Sequence, residues 1–193
     1  MAWRTMLIAI AMVCSSCATR YQASPGSTEI APSVEFAIPT GRELGYSIQV
    51  TQLITAHFRG QSQAFQAYVS ISQEKVTLIA MDPLGGRALT VVATDEGIHT
   101  EAASIVPAVL RAGNILADMA IVYWPVVAVR RGLVSTSASL YEEGNERTIS
   151  FKDHVVVQVV YDNPHEATWP ESAHLHNFAY GYELDLRSTI TGR

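Results

Sequence analysis

The sequence contains very few cysteines. Of its 193 residues, only Cys14 and Cys17 are cysteines, and both lie in the first seventeen positions. A chain cut before Cys17 would retain one cysteine, so it could form neither an internal disulfide nor a cysteine-based metal site. Side-chain packing must therefore supply the stability of the folded chain.

Long apolar runs and basic clusters are missing as well. The run Val126–Val129 ends at Arg130-Arg131 and is far shorter than the roughly 20 apolar residues of a membrane-spanning helix. No other basic cluster is present, and the formal net charge is −5. This charge pattern lacks the footprint of a nucleic-acid-binding protein, so we expect no nucleic-acid partner.

Motifs that carry catalysis or hold cofactors are absent too. The chain has no Gly-x-Ser-x-Gly elbow, no phosphate-binding glycine loop and no His-Glu-x-x-His helix. His174 and His176 are two residues apart on a predicted strand and could hold a metal, but no suitable carboxylate joins them convincingly in the sequence. We expect ordinary strand histidines, no cofactor, no catalytic residues and no enzymatic activity.

The first seventeen residues resemble a bacterial lipoprotein signal. Arg4 precedes the apolar run Met6–Val13, and two serines stand just before Cys17. A charged start, a short apolar core and a small-residue cleavage site are typical of a secretory signal. We predict a signal peptide over residues 1–16 and lipidation of Cys17; an ordinary secretory signal cut near Ala18 is the alternative. Because residue 18 is not Asp, the lipoprotein pattern predicts the outer membrane of a Gram-negative bacterium.

Residues 17–40 are predicted to form the lipidated cysteine and a flexible tether. This stretch is rich in Ser, Pro, Thr and Gly and lacks a sustained apolar period. A short strand near Val34–Ile38 could still dock on the domain that follows. Residues 41–193 are predicted to form one domain, large enough for a hydrophobic core.

Alternation of apolar and polar residues predicts strands over most of this domain. From Leu44 the period is two as far as Phe58, and it recurs before and after the turn Asp82–Gly86, with Thr94–Gly97 as a further turn. Period two returns after residue 136, and the final strand is predicted to contain Phe178, Tyr180, Tyr182 and Leu184. The order indicates antiparallel strands, one helical insertion and further strands.

The helical insertion is predicted to follow Ser104 and Pro107 and to end at Trp124-Pro125. Apolar residues cover a wide stripe that includes Leu116 and Met119, so only Arg111, Asn114 and Asp118 are expected to contact solvent. Val126–Leu133 is predicted to form a short second helix. A curved antiparallel sheet crossed by a helix can enclose a ligand cavity or a filled core, and the sequence leaves both open.

Several short motifs together resemble the LolB-like outer-membrane lipoproteins. They are the lipobox, the tether, Asp82-Pro83-Leu84-Gly85, Tyr123-Trp124-Pro125 and the stretch Asn177–Tyr182. More closely, the chain resembles an uncharacterised branch often encoded beside fatty-acid and aryl-polyene biosynthesis genes. The resemblance implies a mainly β fold, an unclosed antiparallel β-barrel of the LolA/LolB type with a helical lid over a hydrophobic cavity.

The same resemblance implies the function and the site residues. The cavity would receive acyl chains from a soluble periplasmic carrier, and the protein would insert the cargo into the outer membrane. Leu84, flanked by Pro83 and Gly85, matches a membrane-inserting leucine. The lid and cavity mouth are assigned to Leu116, Met119, Tyr123 and Trp124, with Trp124 the best lid candidate.

Each assignment has an alternative. Leu84 could fold back on the core or stand exposed without a role, and the aromatic residues could serve packing alone. The whole protein could be a structural or scaffolding envelope lipoprotein with a filled core and no ligand. A hydrolase acting on acyl chains is the least favoured hypothesis, because no nucleophile motif is present.

Overall fold

The computed structural model describes residues 26–103, 111–133, 136–163 and 168–192. The strands are β1 Ser27–Ala31, β2 Val34–Ala37, β3 Ile48–Phe58, β4 Gln61–Ile71, β5 Lys75–Met81, β6 Arg87–Thr94, β7 Gly97–Ala102, β8 Ser139–Glu143, β9 Glu146–Phe151, β10 His154–Tyr161, β11 Ser172–Asn177 and β12 Tyr182–Gly192. The helices are α1 Gly41–Leu44, α2 Ala112–Tyr123 and α3 Val126–Gly132.

One antiparallel sheet of ten strands dominates the described part of the chain. Its strand order is β7-β6-β5-β4-β3-β12-β11-β10-β9-β8, so two meanders meet where β3 pairs with β12. The sheet keeps two edges, β7 and β8, and does not close into a barrel. The predicted fold class, mainly β with an unclosed antiparallel sheet and a helical insertion, is confirmed.

Period-two alternation gives the sheet one buried face, which we call the inner face. On β3, Ile48, Val50 and Ile54 are buried, whereas Leu53 on the outer face is half exposed. Helices α2 and α3 follow β7 and precede β8, so the chain crosses from one sheet edge to the other. Helix α2 is buried along most of its length, because it supplies the apolar layer that covers the inner face.

The boundary of the predicted tether at residue 40 is wrong. Strands β1 and β2 form a hairpin, and Val34 and Phe36 on β2 are completely buried in the core. Gly132 of α3 lies so close to this hairpin that a Cβ atom there would be 2.5 Å from the Ala37 carbonyl oxygen. The short docked strand that the sequence allowed near Val34–Ile38 is β2, whereas its partner β1 lies in a stretch whose polar composition suggested a tether.

Two element boundaries also differ from the sequence-based expectation. The predicted final strand through Phe178 and Tyr180 is interrupted by a turn, which the Asn177 carbonyl closes by accepting from Gly181 N–H at 2.8 Å. The first long strand begins at Ile48 rather than Leu44, which lies in α1. Helix α2 begins at Ala112; the expected start near Ser104 and Pro107 falls outside the described residues.

The predicted signal peptide over residues 1–16 and the lipidation site Cys17 also lie outside the described residues. Within the described ranges, no helix is both long enough and apolar enough to cross a membrane.

Candidate functional site

The C-terminal end of α2 is fixed to the sheet by one buried cation. Arg147 on β9 is 1% exposed, and its guanidinium donates to the carbonyl oxygens of Ile121 (2.6 Å) and Trp124 (2.9 Å). The same side chain donates to the Glu142 carboxylate at 2.8 and 3.1 Å. Because the last carbonyl groups of a helix lack partners within it, a cation at this end stabilises the helix and fixes its position.

Trp124 lies at the break between α2 and α3. Its ring is buried, and its Nε1–H donates to the Thr40 carbonyl oxygen at 2.9 Å. Pro125 follows at the N-cap of α3 and prevents continuation of α2. The residue predicted as the best lid candidate therefore anchors the helix pair to the segment before α1.

A cavity of about 150 Å³ lies between α2, the segment Ile38–Gly41 and the inner face of the sheet. Three of the four predicted lid residues, Leu116, Met119 and Trp124, line it, and so does Ala120. The sheet contributes Val76 and Ala93, among others. The structure thus brings these predicted residues together around one cavity.

The fourth predicted residue, Tyr123, does not line this cavity. Its ring stacks on Trp169 with 4.0 Å between ring centroids, and its hydroxyl lies 3.0 Å from Ser188 Oγ. Burial raises the pKa of Tyr123 to about 12. Gln52, also buried, donates to the same Ser188 hydroxyl at 3.0 Å. Tyr123 therefore belongs to a buried packing and hydrogen-bonding cluster at the C-terminal end of α2.

The cavity is small for an acyl chain. A volume of about 150 Å³ holds a molecule the size of benzene, whereas pockets for drug-sized ligands begin at roughly 300 Å³. The remaining space is filled by α2, whose Ala117, Ile121 and Val122 are completely buried. The sheet therefore encloses a mostly filled core in this conformation, and binding of a long chain requires α2 to shift.

Asp118 is a buried carboxyl group on α2, and the expectation that it contacts solvent is wrong. The Tyr182 hydroxyl lies 2.8 Å from both of its carboxylate oxygens. Asn177 donates to the Tyr182 hydroxyl at 3.3 Å and to the Ile30 carbonyl at 3.0 Å. Burial raises the pKa of Asp118 to about 7, and the hydrogen bond from Tyr182 opposes this shift.

Asn114 was likewise expected to contact solvent, but it accepts a hydrogen bond from Thr28 Oγ1 at 2.7 Å. The hairpin β1–β2 therefore covers part of the face of α2 that the sequence suggested was polar and solvated, whereas Arg111 is exposed as expected. No periodicity within the helix could have revealed this partner, since it is 86 positions away.

Leu84 projects from the turn between β5 and β6 and is 96% exposed. The Asp82 carboxylate accepts from the N–H groups of Leu84 (2.9 Å) and Gly86 (2.8 Å), which fixes the turn. Gly85 has φ of 81°, a conformation that favours glycine. Pro83 lies between Asp82 and Leu84 in the same turn. The turn thus presents Leu84 to solvent, and the alternative in which it folds back on the core does not apply.

The cavity and Leu84 lie toward opposite ends of the sheet. Consecutive turns of an antiparallel meander alternate between the two ends, so the β4–β5 and β6–β7 turns lie opposite the β5–β6 turn that carries Leu84. Glu74 and Asp95, from those two opposite turns, line the cavity. The sequence did not reveal this separation.

A cluster of histidines and carboxylates occupies the outer face near the ends of β3, β11 and β12. His57 Nε2 and His174 Nδ1 each lie 2.8 Å from an Asp185 carboxylate oxygen. Glu183 lies 3.7 Å from both His174 and His176. The expectation that no carboxylate joins these histidines is wrong, because cross-strand pairing supplies both acids. Hydrogen bonds from His174 and His57 hold the pKa of Asp185 below its usual value.

This cluster lies on the outer surface of the sheet and outside the α2 cavity. Ser62 Oγ lies 2.7 Å from His57 Nδ1, which completes a Ser-His-Asp chain with Asp185. These groups lie on the sheet surface, and they line neither the α2 cavity nor a shallow outer-face depression of about 130 Å³ beside Tyr68. Within the described ranges, no set of three or more His, Cys, Asp or Glu residues is arranged to hold a metal ion.

Comparison with known proteins assigns the family. A family model described as "Protein of unknown function (DUF3261)" matches residues 49–189. The chain belongs to that family. No curated protein matches the sequence of this DUF3261 member.

Two solved structures are similar to this DUF3261 protein. One is a LolA superfamily protein from Nitrosomonas europaea, at 10% identity and a TM-score of 0.41, covering 74% of this chain and 84% of that one. The other is a DUF1329 family protein from Desulfovibrio piger, at 8% identity and a TM-score of 0.42, covering 77% of this chain and 87% of that one. We draw no functional conclusion from likenesses at this level.

Proposed function

We propose that this DUF3261 protein is a lipid-anchored outer-membrane protein that binds an acyl chain or a similar apolar cargo between α2 and the inner face of its sheet. The observation that carries the proposal is the cavity beside α2, lined by Leu116, Met119 and Trp124. In this proposal Cys17 carries the lipid anchor. The protein acts by non-covalent transfer and not as an enzyme.

Entry of the cargo displaces α2 from the sheet. The C-terminal end of α2 is the more firmly held, because Arg147 and Tyr161 bind its last carbonyl groups. The N-terminal half depends on weaker contacts, such as the hydrogen bond between Thr28 and Asn114. We therefore expect α2 to pivot about Arg147. Burial of each methylene of the cargo is favourable by about 0.8 kcal/mol, and this free energy offsets the cost of moving α2.

Leu84 delivers the cargo by contacting the bilayer. An exposed leucine on a fixed turn enters the interfacial region of a membrane at little conformational cost. Because the cavity lies toward the other end of the sheet, the cargo is received on the side that faces away from the membrane. This arrangement suits transfer from a soluble periplasmic carrier. The cargo is the acyl part of a lipoprotein or of an acylated polyene precursor, as the resemblance to LolB-like proteins implies.

A structural or scaffolding role in the envelope is the second candidate function. The observation in its favour is the filled interior, because α2 is buried along most of its length and leaves a cavity of only about 150 Å³ beside it. A scaffold requires no movement of α2 and binds no acyl chain.

A matched pair of phenylalanine variants tests the proposal. Ala93 lines the cavity from β6, whereas Ala64 is exposed on the outer face of β4. Binding of a fluorescent acyl-chain probe is titrated with both variants and with the parent protein. The proposal predicts that Ala93→Phe, which fills the cavity, abolishes binding and that Ala64→Phe leaves it unchanged. Equal binding by both variants, or no binding by the parent, would contradict it.

A further inference from the structure

The four hairpins whose turns lie at the Leu84 end of the sheet follow one another along a single rim. In spatial order these hairpins are β6–β5, β4–β3, β12–β11 and β10–β9. Since neighbouring strands are about 4.8 Å apart, the four turns line a rim that is about eight strands long. We call this the Leu84 rim, and it comprises residues 82–86, 59–60, 178–181 and 152–153.

Two of these turns carry the same unusual pattern. Arg59 follows Phe58, and Lys152 follows Phe151, at the tips of two-residue hairpin turns. The guanidinium carbon of Arg59 lies 4.8 Å from the centre of the Phe58 ring, and Lys152 Nζ lies 5.0 Å from the centre of the Phe151 ring. Each hairpin therefore presents an aromatic ring with a cation over it.

These cations occupy strained backbone positions. Arg59 and Lys152 have φ of 51° and 50°, and Asp153 has φ of 63°. Turns of this kind favour Asn, Asp and Gly, because residues with larger side chains adopt positive φ at a cost. A long cation at both tips is therefore a departure from what the fold alone would favour. Such departures often mark a functional surface.

Apolar side chains accompany the cations on the same rim. Leu84 is 96% exposed, and Phe58 and Phe178 are 40% and 46% exposed. Arg87, at the start of β6, adds a third cation. Of the two acids within these turns, Asp82 binds backbone N–H groups of its own turn, and Asp153 adjoins Lys152. Aromatic rings and cations side by side suit the interface between water and the lipid of a membrane.

The opposite rim has a different character. Its β4–β5 turn contains Glu74 and is followed by Lys75, its β6–β7 turn contains Asp95 and Glu96, and its β8–β9 turn is flanked by Glu143 and Glu146, so acids outnumber cations there. Lipid phosphates repel these carboxylates and attract Arg59 and Lys152. The two rims therefore differ in charge, and this difference would orient the domain on a phospholipid surface with the Leu84 rim toward the lipid.

We propose that the whole Leu84 rim docks on a phospholipid bilayer, with Arg59 and Lys152 binding lipid phosphates and Leu84, Phe58 and Phe178 entering the interfacial layer. This inference rests on the proposed membrane location of the protein but not on cargo binding. It extends the contact beyond a single leucine to four hairpins. The opposite rim then faces the periplasm.

A matched pair of labelled variants tests the orientation. Gln61 adjoins the β3–β4 turn on the Leu84 rim, and Gln73 lies in the β4–β5 turn at the opposite end; both are exposed. A fluorophore is attached to Gln61→Cys or Gln73→Cys in the full lipidated chain, reconstituted in phosphatidylethanolamine and phosphatidylglycerol vesicles that carry a lipid-bound quencher. The proposal predicts quenching at position 61 and little at position 73. Equal quenching, or stronger quenching at position 73, would overturn it.

A second variant separates membrane contact from folding. Asn tolerates positive φ better than Arg or Lys, so Arg59→Asn with Lys152→Asn is expected to raise the melting temperature while removing both charges. We expect the membrane-docked population, read from quenching at position 61, to fall by about fivefold for each cation removed. The control pair, Arg42→Asn with Lys75→Asn, should leave it unchanged. Unchanged quenching in the Arg59 and Lys152 variant would overturn the proposal, whether or not the protein binds cargo.

Discussion

The hydroxyl of Tyr182 lies 2.8 Å from both carboxylate oxygens of Asp118. This contact joins β12, the last strand in the chain, to helix α2, which covers the inner face of the sheet. It places an ionisable group in a mostly apolar layer. Burial raises the pKa of Asp118 to about 7, so the docked helix favours the protonated acid below about pH 7. We therefore expect the attachment of α2 to the sheet to depend on pH.

We predict that stability falls as pH rises from about 4 to about 7, because the folded state retains a proton on Asp118 that the unfolded chain has already lost. Asp118→Asn should remove this loss and be more stable than the parent by ~2–4 kcal/mol at pH 8. At pH 4 the two proteins should have similar stability. Urea unfolding at both pH values measures the difference, with Glu96→Gln in the exposed β6–β7 turn as a control. A constant difference between pH 4 and pH 8 would contradict the prediction.

Arg147 should be the most sensitive contact of α2. Arg147→Met leaves the carboxylate of Glu142 without its cation and removes the donors to Ile121 and Trp124, at a cost of about 3–5 kcal/mol. Arg131→Ala is the control: Arg131 is 64% exposed and paired with Glu43, and its loss should cost below about 1 kcal/mol. Chemical denaturation of both variants tests this, and equal losses would show that Arg147 does not anchor α2.

The hairpin β1–β2 should contribute to the stability of the domain, contrary to the sequence-based expectation of a tether. Phe36→Ala removes a completely buried ring and should lower the free energy of unfolding by about 3–5 kcal/mol. Tyr141→Ala, at a site 63% exposed on β8, should have a much smaller effect. Thermal unfolding distinguishes the two. A negligible effect of Phe36→Ala would restore the tether interpretation.

Leu84→Glu should block delivery of cargo to membranes without weakening cargo binding. The reason is that Leu84 is exposed and contributes little to the core, while a carboxylate is repelled by the interfacial layer. The control is Val127→Glu, at another exposed apolar position, on α3. Transfer of a fluorescent acylated cargo to liposomes is measured for both variants. Normal transfer by Leu84→Glu would remove this residue from the mechanism.

The positions of strands and helices were easier to predict from the sequence than the contacts between them. Period-two alternation located most strands, and Trp124-Pro125 located the break between the helices, because both signals are local. The turn before Tyr182 was missed, since Phe178, Tyr180 and Tyr182 keep period two across it. Pairing of β3 with β12, which brings His57 to Asp185, depends on contacts 128 positions apart that no local pattern records.

In the candidate site, too, local features could be predicted from the sequence and long-range contacts could not. Leu116, Met119 and Trp124 do line a cavity beside α2, but their role as a lid or cavity mouth remains a prediction. The small volume of that cavity could not be predicted, since it depends on how closely α2 approaches the sheet. Asp118 was assigned to solvent because its partner Tyr182 lies 64 positions away. The roles of Cys17, Pro83, Leu84 and Gly85 at the membrane remain predictions.

Native mass spectrometry of the chain with Cys17→Ala, which removes the proposed lipid, tests the central claim most directly. The protein is measured as purified and again after incubation with acyl-chain probes of increasing length. We predict a bound acylated molecule, or uptake of the probes in one-to-one complexes that the cavity-filling Ala93→Phe change abolishes. An unliganded mass that no probe alters would contradict cargo binding and favour the scaffolding role.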